Sequence, residues 1–206
     1  MAGSISVEQK TARILAAFLA FEGGFVAYYY AANGARFLAY LGLAAGREGS
    51  WPGWLLALAV TAIFVAYSAR MPSVRANLVK PSWLKLLALP MALSAGVLEE
   101  AVFRSTLMNA LQHQGAGVAV QILISGLAFG VVHGIWGLFG RSAQAAVGAT
   151  VVTGVLGTFL AVVYVAAGRS LLPCIAAHAM IDALIEPGMV LAACRGEMSR
   201  LRSVAD

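Results

Sequence analysis

The residues best suited to chemistry are two adjacent carboxylates, Glu99 and Glu100, with Arg104 four positions after the second, and two histidines, His133 and His178, the latter followed four positions on by Asp182. A carboxylate and an imidazole together can take a proton from water, and a second imidazole can donate to an oxyanion, so the set fits hydrolysis. Each of these groups lies in an apolar stretch of the chain. An ionisable side chain at membrane depth costs about 2.5–3.5 kcal/mol even on the gentlest insertion scale, and such groups are rarely kept without a function.

Spacing separates the roles. Glu100 and Arg104 share one helix face with the acid N-terminal to the base, the favourable order for an ion pair. Glu99 points about 100° away from Glu100 at 3.6 residues per turn. One carboxylate can therefore be held in a structural pair while its neighbour stays free. His133 stands four residues after Phe129, which packs beside it. Ser125 reads as bonded to its own helix backbone, and His113 as an interfacial residue at a helix end.

Composition places these groups in a membrane. Of 206 residues 61% are hydrophobic and 11% charged, and the mean hydropathy of +0.84 means more apolar surface than one soluble core can bury. The net charge of +5 does not mark a nucleic-acid binder, because the Lys and Arg residues lie between apolar runs and not along one basic face. Those runs cover 12–32, 52–69, 84–111, 118–140, 143–167 and 170–193, each near the ~20 residues a helix needs to cross a bilayer. The sequence thus predicts an all-α protein, a polytopic transmembrane helical bundle of about six spans, with an intramembrane active site and one transmembrane domain over 1–206.

Positive charge orients the bundle. With the N-terminus in the cytoplasm, Lys10, Arg13, Arg70, Arg75, Lys80, Lys85, Arg141, Arg195, Arg200 and Arg202 lie inside, against Arg36, Arg47 and Arg169 outside. Both termini are expected inside. Tyr28, Tyr29, Tyr30, Trp51 and Trp54 then fall at the outer interface and Trp83 at the inner one. The first run is long for a signal peptide and contains Glu22, so it is expected to be a retained span, with Glu22 unexplained. Segment 37–45 is too short to cross and can lie along the surface. Cys174 and Cys194, at opposite ends of the last span, cannot pair. Gly126, Gly130 and Gly134 form a stripe that admits a neighbouring backbone, and Gly148, Gly154 and Gly157 can do the same on the fifth span. Counting from the outer ends at about 1.5 Å per residue sets His133 roughly 10 Å deeper than His178.

Three motifs, in order and on separate spans, carry a resemblance: Glu99-Glu100-Ala101-Val102-Phe103-Arg104, then Phe129-Gly130-Val131-Val132-His133, then His178-Ala179-Met180-Ile181-Asp182. They resemble the CAAX prenyl protease type II and bacteriocin-processing family (CPBP, or Abi) of glutamic intramembrane proteases, over a core of about residues 83–185. The resemblance implies an endopeptidase that cuts a membrane-associated, lipidated or C-terminal sorting-tail substrate. It implies that Glu99 and His133 activate water, that Glu100 and Arg104 brace the site, and that His178 stabilises the oxyanion, helped by the residue four later. Many members have Asn there, where this chain has Asp182.

An ionised carboxylate would repel an oxyanion, so Asp182 is expected to act indirectly, accepting from the His178 imidazole. The resemblance favours a metal-free reaction without cofactor. Zinc held by Glu99, His133 and His178, with one position open for water, is the alternative. The implied partners are a membrane-associated protein or peptide and the lipid bilayer, with no nucleic acid, and the implied location is a bacterial cytoplasmic membrane.

Other intramembrane hydrolases fit less well. An aspartyl dyad needs two buried Asp side chains, and the two in this chain are Asp182 and the terminal Asp206. Ser125-Gly126 follows Leu123-Ile124, so the Gly-x-Ser-Gly of a rhomboid-like serine protease is missing its first glycine, and no His-Glu-x-x-His is present. Two other classes stay open: a non-catalytic immunity or scaffold protein of the same family, and, less favoured, a transporter relaying protons through Glu99 and the histidines.

Overall fold

In the computed structural model, which describes residues 5–135, 137 and 143–197, the helices are α1 (Val7–Asn33), α2 (Ala35–Tyr40), α3 (Trp51–Ser68), α4 (Pro72–Asn77), α5 (Trp83–Glu100), α6 (Asn109–His113), α7 (Val118–His133), α8 (Ala143–Ala166) and α9 (Leu172–Cys194). A π-helical segment, Ala101–Met108, joins α5 to α6 without a break. Among the described residues there is no strand. Arg141, Arg200, Arg202 and Asp206 lie outside the described residues.

Local chemistry starts the helices where they start. Ser6 caps α1 in a capping box with Gln9, and Ser82 accepts from the Lys85 N–H at the start of α5. Ser50 caps α3 through the Gly53 N–H, and its hydroxyl donates to the Ala166 carbonyl 2.6 Å away, tying the start of α3 to the end of α8.

Five helical stretches are long and apolar enough to cross a bilayer: α1, α3, Trp83–His113, α8 and α9. The fourth apolar run, 118–140, carries a shorter apolar helix. That helix, α7, covers 16 residues, about 24 Å of rise, and positions 136 and 138–140 of the run lie outside the described residues. The result is a multi-pass helical membrane bundle.

Two apolar clusters hold it. Leu156, Leu160, Val163 and Tyr164 of α8 meet Val60 and Phe64 of α3 and Ile175 and Ile181 of α9. Leu15 of α1 meets Ala88, Met91 and Ala95 of α5 and Val190 of α9. The glycine stripe seats α7 on α8: a Cβ at Gly130 would stand 2.8 Å from the Gly154 Cα, and one at Gly126 2.9 Å from the Thr158 nitrogen. Gly157 admits the Phe129 side chain. Gly148 departs from expectation, since a Cβ there would meet nothing within 4 Å.

Pro187, inside α9, has no N–H for the carbonyl of Ala183. Lys85 fills the gap from α5, its Nζ donating to Ala183 O at 2.8 Å and to Leu184 O at 2.6 Å.

Segment 37–45 is half helix and half cover. After α2, the loop 41–50 lies over the turn between α8 and α9. Gly42, at φ 90°, comes so close that a Cβ would stand 2.8 Å from Ser170 Oγ, and Ser170 Oγ donates to the Arg47 carbonyl at 2.6 Å. Arg169 in that turn donates to Asn109 and Gln121. Cys174 and Cys194 are both free thiols.

Candidate active site

Helix α5 delivers Glu99 and Glu100 at its last two positions, where the backbone passes into the π segment. Such single wide turns occur often at functional sites. Ser125 of α7 donates to Phe103 O in this segment at 3.0 Å. Ser125 therefore bonds across to a neighbouring segment and not to its own helix, contrary to the reading from sequence.

Glu100 and Arg104 are both fully buried, with Arg104 Nε 3.0 Å from Glu100 Oε2. Arg104 also donates to the Gly157 carbonyl at 3.1 Å. The other oxygen of Glu100 accepts from His178 Nδ1 at 2.7 Å, a partnership the sequence did not indicate. Glu100 thus joins an ion pair on its own helix to a histidine on α9.

Glu99 stays comparatively open. Its Oε2 lies 3.5 Å from His133 Nε2 and 3.9 Å from His178 Nε2, with 21% of the side chain exposed. His133 Nδ1 lies 2.8 Å from the Phe129 carbonyl. A carbonyl only accepts, so Nδ1 carries a hydrogen, and Nε2 is the atom turned toward Glu99. His178 Nε2 lies 3.2 Å from Asp182 Oδ2, so a carboxylate faces each nitrogen of this ring.

Phe129 is the platform for the group. Its ring stacks on His133 with centroids 4.4 Å apart, meets His178 edge-on at 5.7 Å, and lies 4.6 Å from the Arg104 guanidinium carbon. Aromatic and cation–π contacts of this kind hold orientation as well as energy.

The expected depth difference between the histidines is absent, because both reach the same oxygen of Glu99. Depth counting assumes level outer ends. Here the turn before α9 lies under loop 41–50, and its Arg169 engages Asn109 and Gln121, each about one turn inside the end of its helix.

Glu99, Phe129, His133, His178 and Asp182 border a cavity of about 1110 Å³ between α1, α3, α5, α7, α8 and α9. Its wall is mostly apolar, and its rim residues Phe21, Tyr67 and Val147 are exposed. Two further carboxylates line it: Glu22 from α1, and Glu186, four residues past Asp182. Glu186 was missed from sequence, although the step of four that links His178 to Asp182 reaches it when repeated once. Among the described residues, no three His, Cys, Asp or Glu side chains converge as metal ligands.

An acid and two imidazoles thus meet at one cavity among membrane-length helices, with the Glu100–Arg104 ion pair buried behind them. The family model for type II CAAX prenyl endopeptidase Rce1-like proteins matches residues 81–184, half of the chain, and the chain belongs to that family. It is accordingly a CAAX-type membrane endopeptidase in general class, a hydrolase whose substrate is a membrane-associated protein. No curated protein and no solved structure matched the chain. The matched region contains Glu99, Glu100, Arg104, Phe129, His133, His178 and Asp182, and stops short of Glu22 and Glu186.

Proposed function

We propose that this chain is a glutamic intramembrane endopeptidase, in which Glu99 and His133 activate the attacking water. The observation that carries the reading is the 3.5 Å approach of Glu99 Oε2 to His133 Nε2 at the wall of the cavity. That separation is long for a direct hydrogen bond and suits one water in contact with both groups.

In the proposed reaction, Glu99 takes a proton from water and the resulting hydroxide adds to the scissile carbonyl carbon. The carbonyl π electrons move to oxygen, and the oxyanion accepts a hydrogen bond from His178. On collapse the carbon–nitrogen bond breaks, and the proton held at Glu99 passes to the leaving amine. Glu100 holds His178 through Nδ1, which leaves its Nε2 edge for the reacting atoms. Asp182 faces that edge and acts as a positioning group for the ring.

The reaction proposed is metal-free, and in the zinc alternative Glu99, His133 and His178 would be the ligands. The substrate is a peptide held in or on the bilayer, lipidated or carrying a C-terminal sorting tail, and the apolar cavity wall supports this. The location proposed is the cytoplasmic membrane, with both termini inside.

The test compares protein termini in membranes and medium of host cells carrying wild type or Glu99→Gln at matched expression. Proteins left unprocessed only in the variant would support the reading and name the substrates. Unchanged termini with wild-type behaviour would move the non-catalytic scaffold or immunity reading to the front.

A further inference from the structure

Among the described residues, several buried charges are answered by partners and Glu22 is not. Glu100 meets Arg104 and His178, and Lys85 meets two carbonyls. Glu22 is only 7% exposed, its Oε2 is buried without a hydrogen-bond partner, and the residue lines the cavity. A buried carboxylate left unanswered is costly, and more so in hydrocarbon than in a soluble core.

Glu186 lies on the same wall. His178, Asp182 and Glu186 follow one another at steps of four on α9, so they share a face, and Glu186 sits two steps, about 12 Å along the axis, from the His178 ring. Among the described ion pairs none involves Glu22 or Glu186. Arg70 also lines the cavity, but it is exposed and its guanidinium lies over the Tyr67 ring at 5.3 Å. The cavity wall also carries Phe18, Met91, Ala95 and Met189, and the titratable groups facing the two carboxylates are Glu99, Asp182 and His178.

We infer that Glu22 and Glu186 form a subsite for a cationic side chain of the peptide substrate, a Lys or Arg within about four residues of the scissile bond. A long aliphatic stem suits the apolar wall, and the charged head supplies the counter-charge that the two carboxylates lack. The span of about 12 Å corresponds to three or four residues of extended chain. Both carboxylates lie outside residues 81–184, so the subsite belongs to this chain's own flanking segments and not to the matched core. The inference rests on the peptidase reading above for what the cavity holds.

The probe is a set of synthetic membrane peptides with an apolar core and a single Lys walked through successive positions, each matched by a Gln peptide. In wild type the Lys-to-Gln ratio of kcat/KM should peak at about tenfold or more at a position within four residues of the cut, as a desolvated charge pair warrants. In Glu22→Gln/Glu186→Gln that ratio should fall to about twofold or less, and Glu186→Lys should shift preference toward a Glu-bearing peptide. The same peptides are titrated onto Glu99→Gln protein, so that binding preference is read without turnover.

A flat ratio at every position, or a Lys preference that survives the double variant, overturns the subsite. Full cleavage by Glu99→Gln overturns the catalytic reading instead, and the binding series still judges the subsite.

Discussion

Glu100 and His178 meet across 78 residues of chain, with Oε1 2.7 Å from Nδ1, while the second oxygen of the same carboxylate lies 3.0 Å from Arg104 Nε. The carboxylate is therefore the joint between a cation on its own helix and an imidazole on another. Removing its charge leaves Arg104 buried without a counter-ion. Glu100→Gln should destabilise the bundle by about 3–5 kcal/mol, the range for breaking one side of a buried pair. Thermal unfolding in detergent checks this, and an unchanged melting temperature would contradict it.

Asp182→Asn keeps the volume beside His178 and removes the charge facing Nε2. If Asp182 positions that ring, kcat should fall by about tenfold or more while KM stays within about threefold, because the loss lies in the transition state. Steady-state kinetics across pH decide it. Full activity with an unaltered pH profile would remove the role.

The two groups of glycine should behave differently. Gly130→Ala drives a methyl into the backbone of α8 and should cost about 1–3 kcal/mol, as overpacking does. Gly148→Ala meets open space and should stay within about 0.5 kcal/mol of wild type. Equal melting temperatures for the two variants would mean that α7 and α8 are not seated by this stripe.

Peptidase activity should persist in protein shown to be free of zinc and treated with a strong chelator. Loss on chelation, restored by added zinc, would make Glu99, His133 and His178 ligands and return the metal alternative.

Much of this site was legible before its geometry. The i, i+4 relation of Glu100 to Arg104 and of His178 to Asp182 is a property of one helix, and helical periodicity shows it directly. The bond from Glu100 to His178 joins two helices and leaves no local trace. The π segment after Glu100 was equally hidden, since Ala101–Met108 reads as ordinary apolar helix. The histidine depths were misjudged because helix ends were taken as level, and levelness is decided by tertiary contacts such as Arg169 with Gln121. Glu186 was within reach of the sequence but stood beyond the motif that drew attention to His178.

Loop 41–50 packs over the α8–α9 turn, away from the cavity. The groups at the start of α3 and the end of α8 are tied beneath it, whereas the cavity is lined by the end of α3, the end of α7 and the start of α8. Loop 41–50 contributes no residue to the cavity lining, so it fastens the bundle at a distance from the catalytic groups, and a change there would reach them only through the helices between.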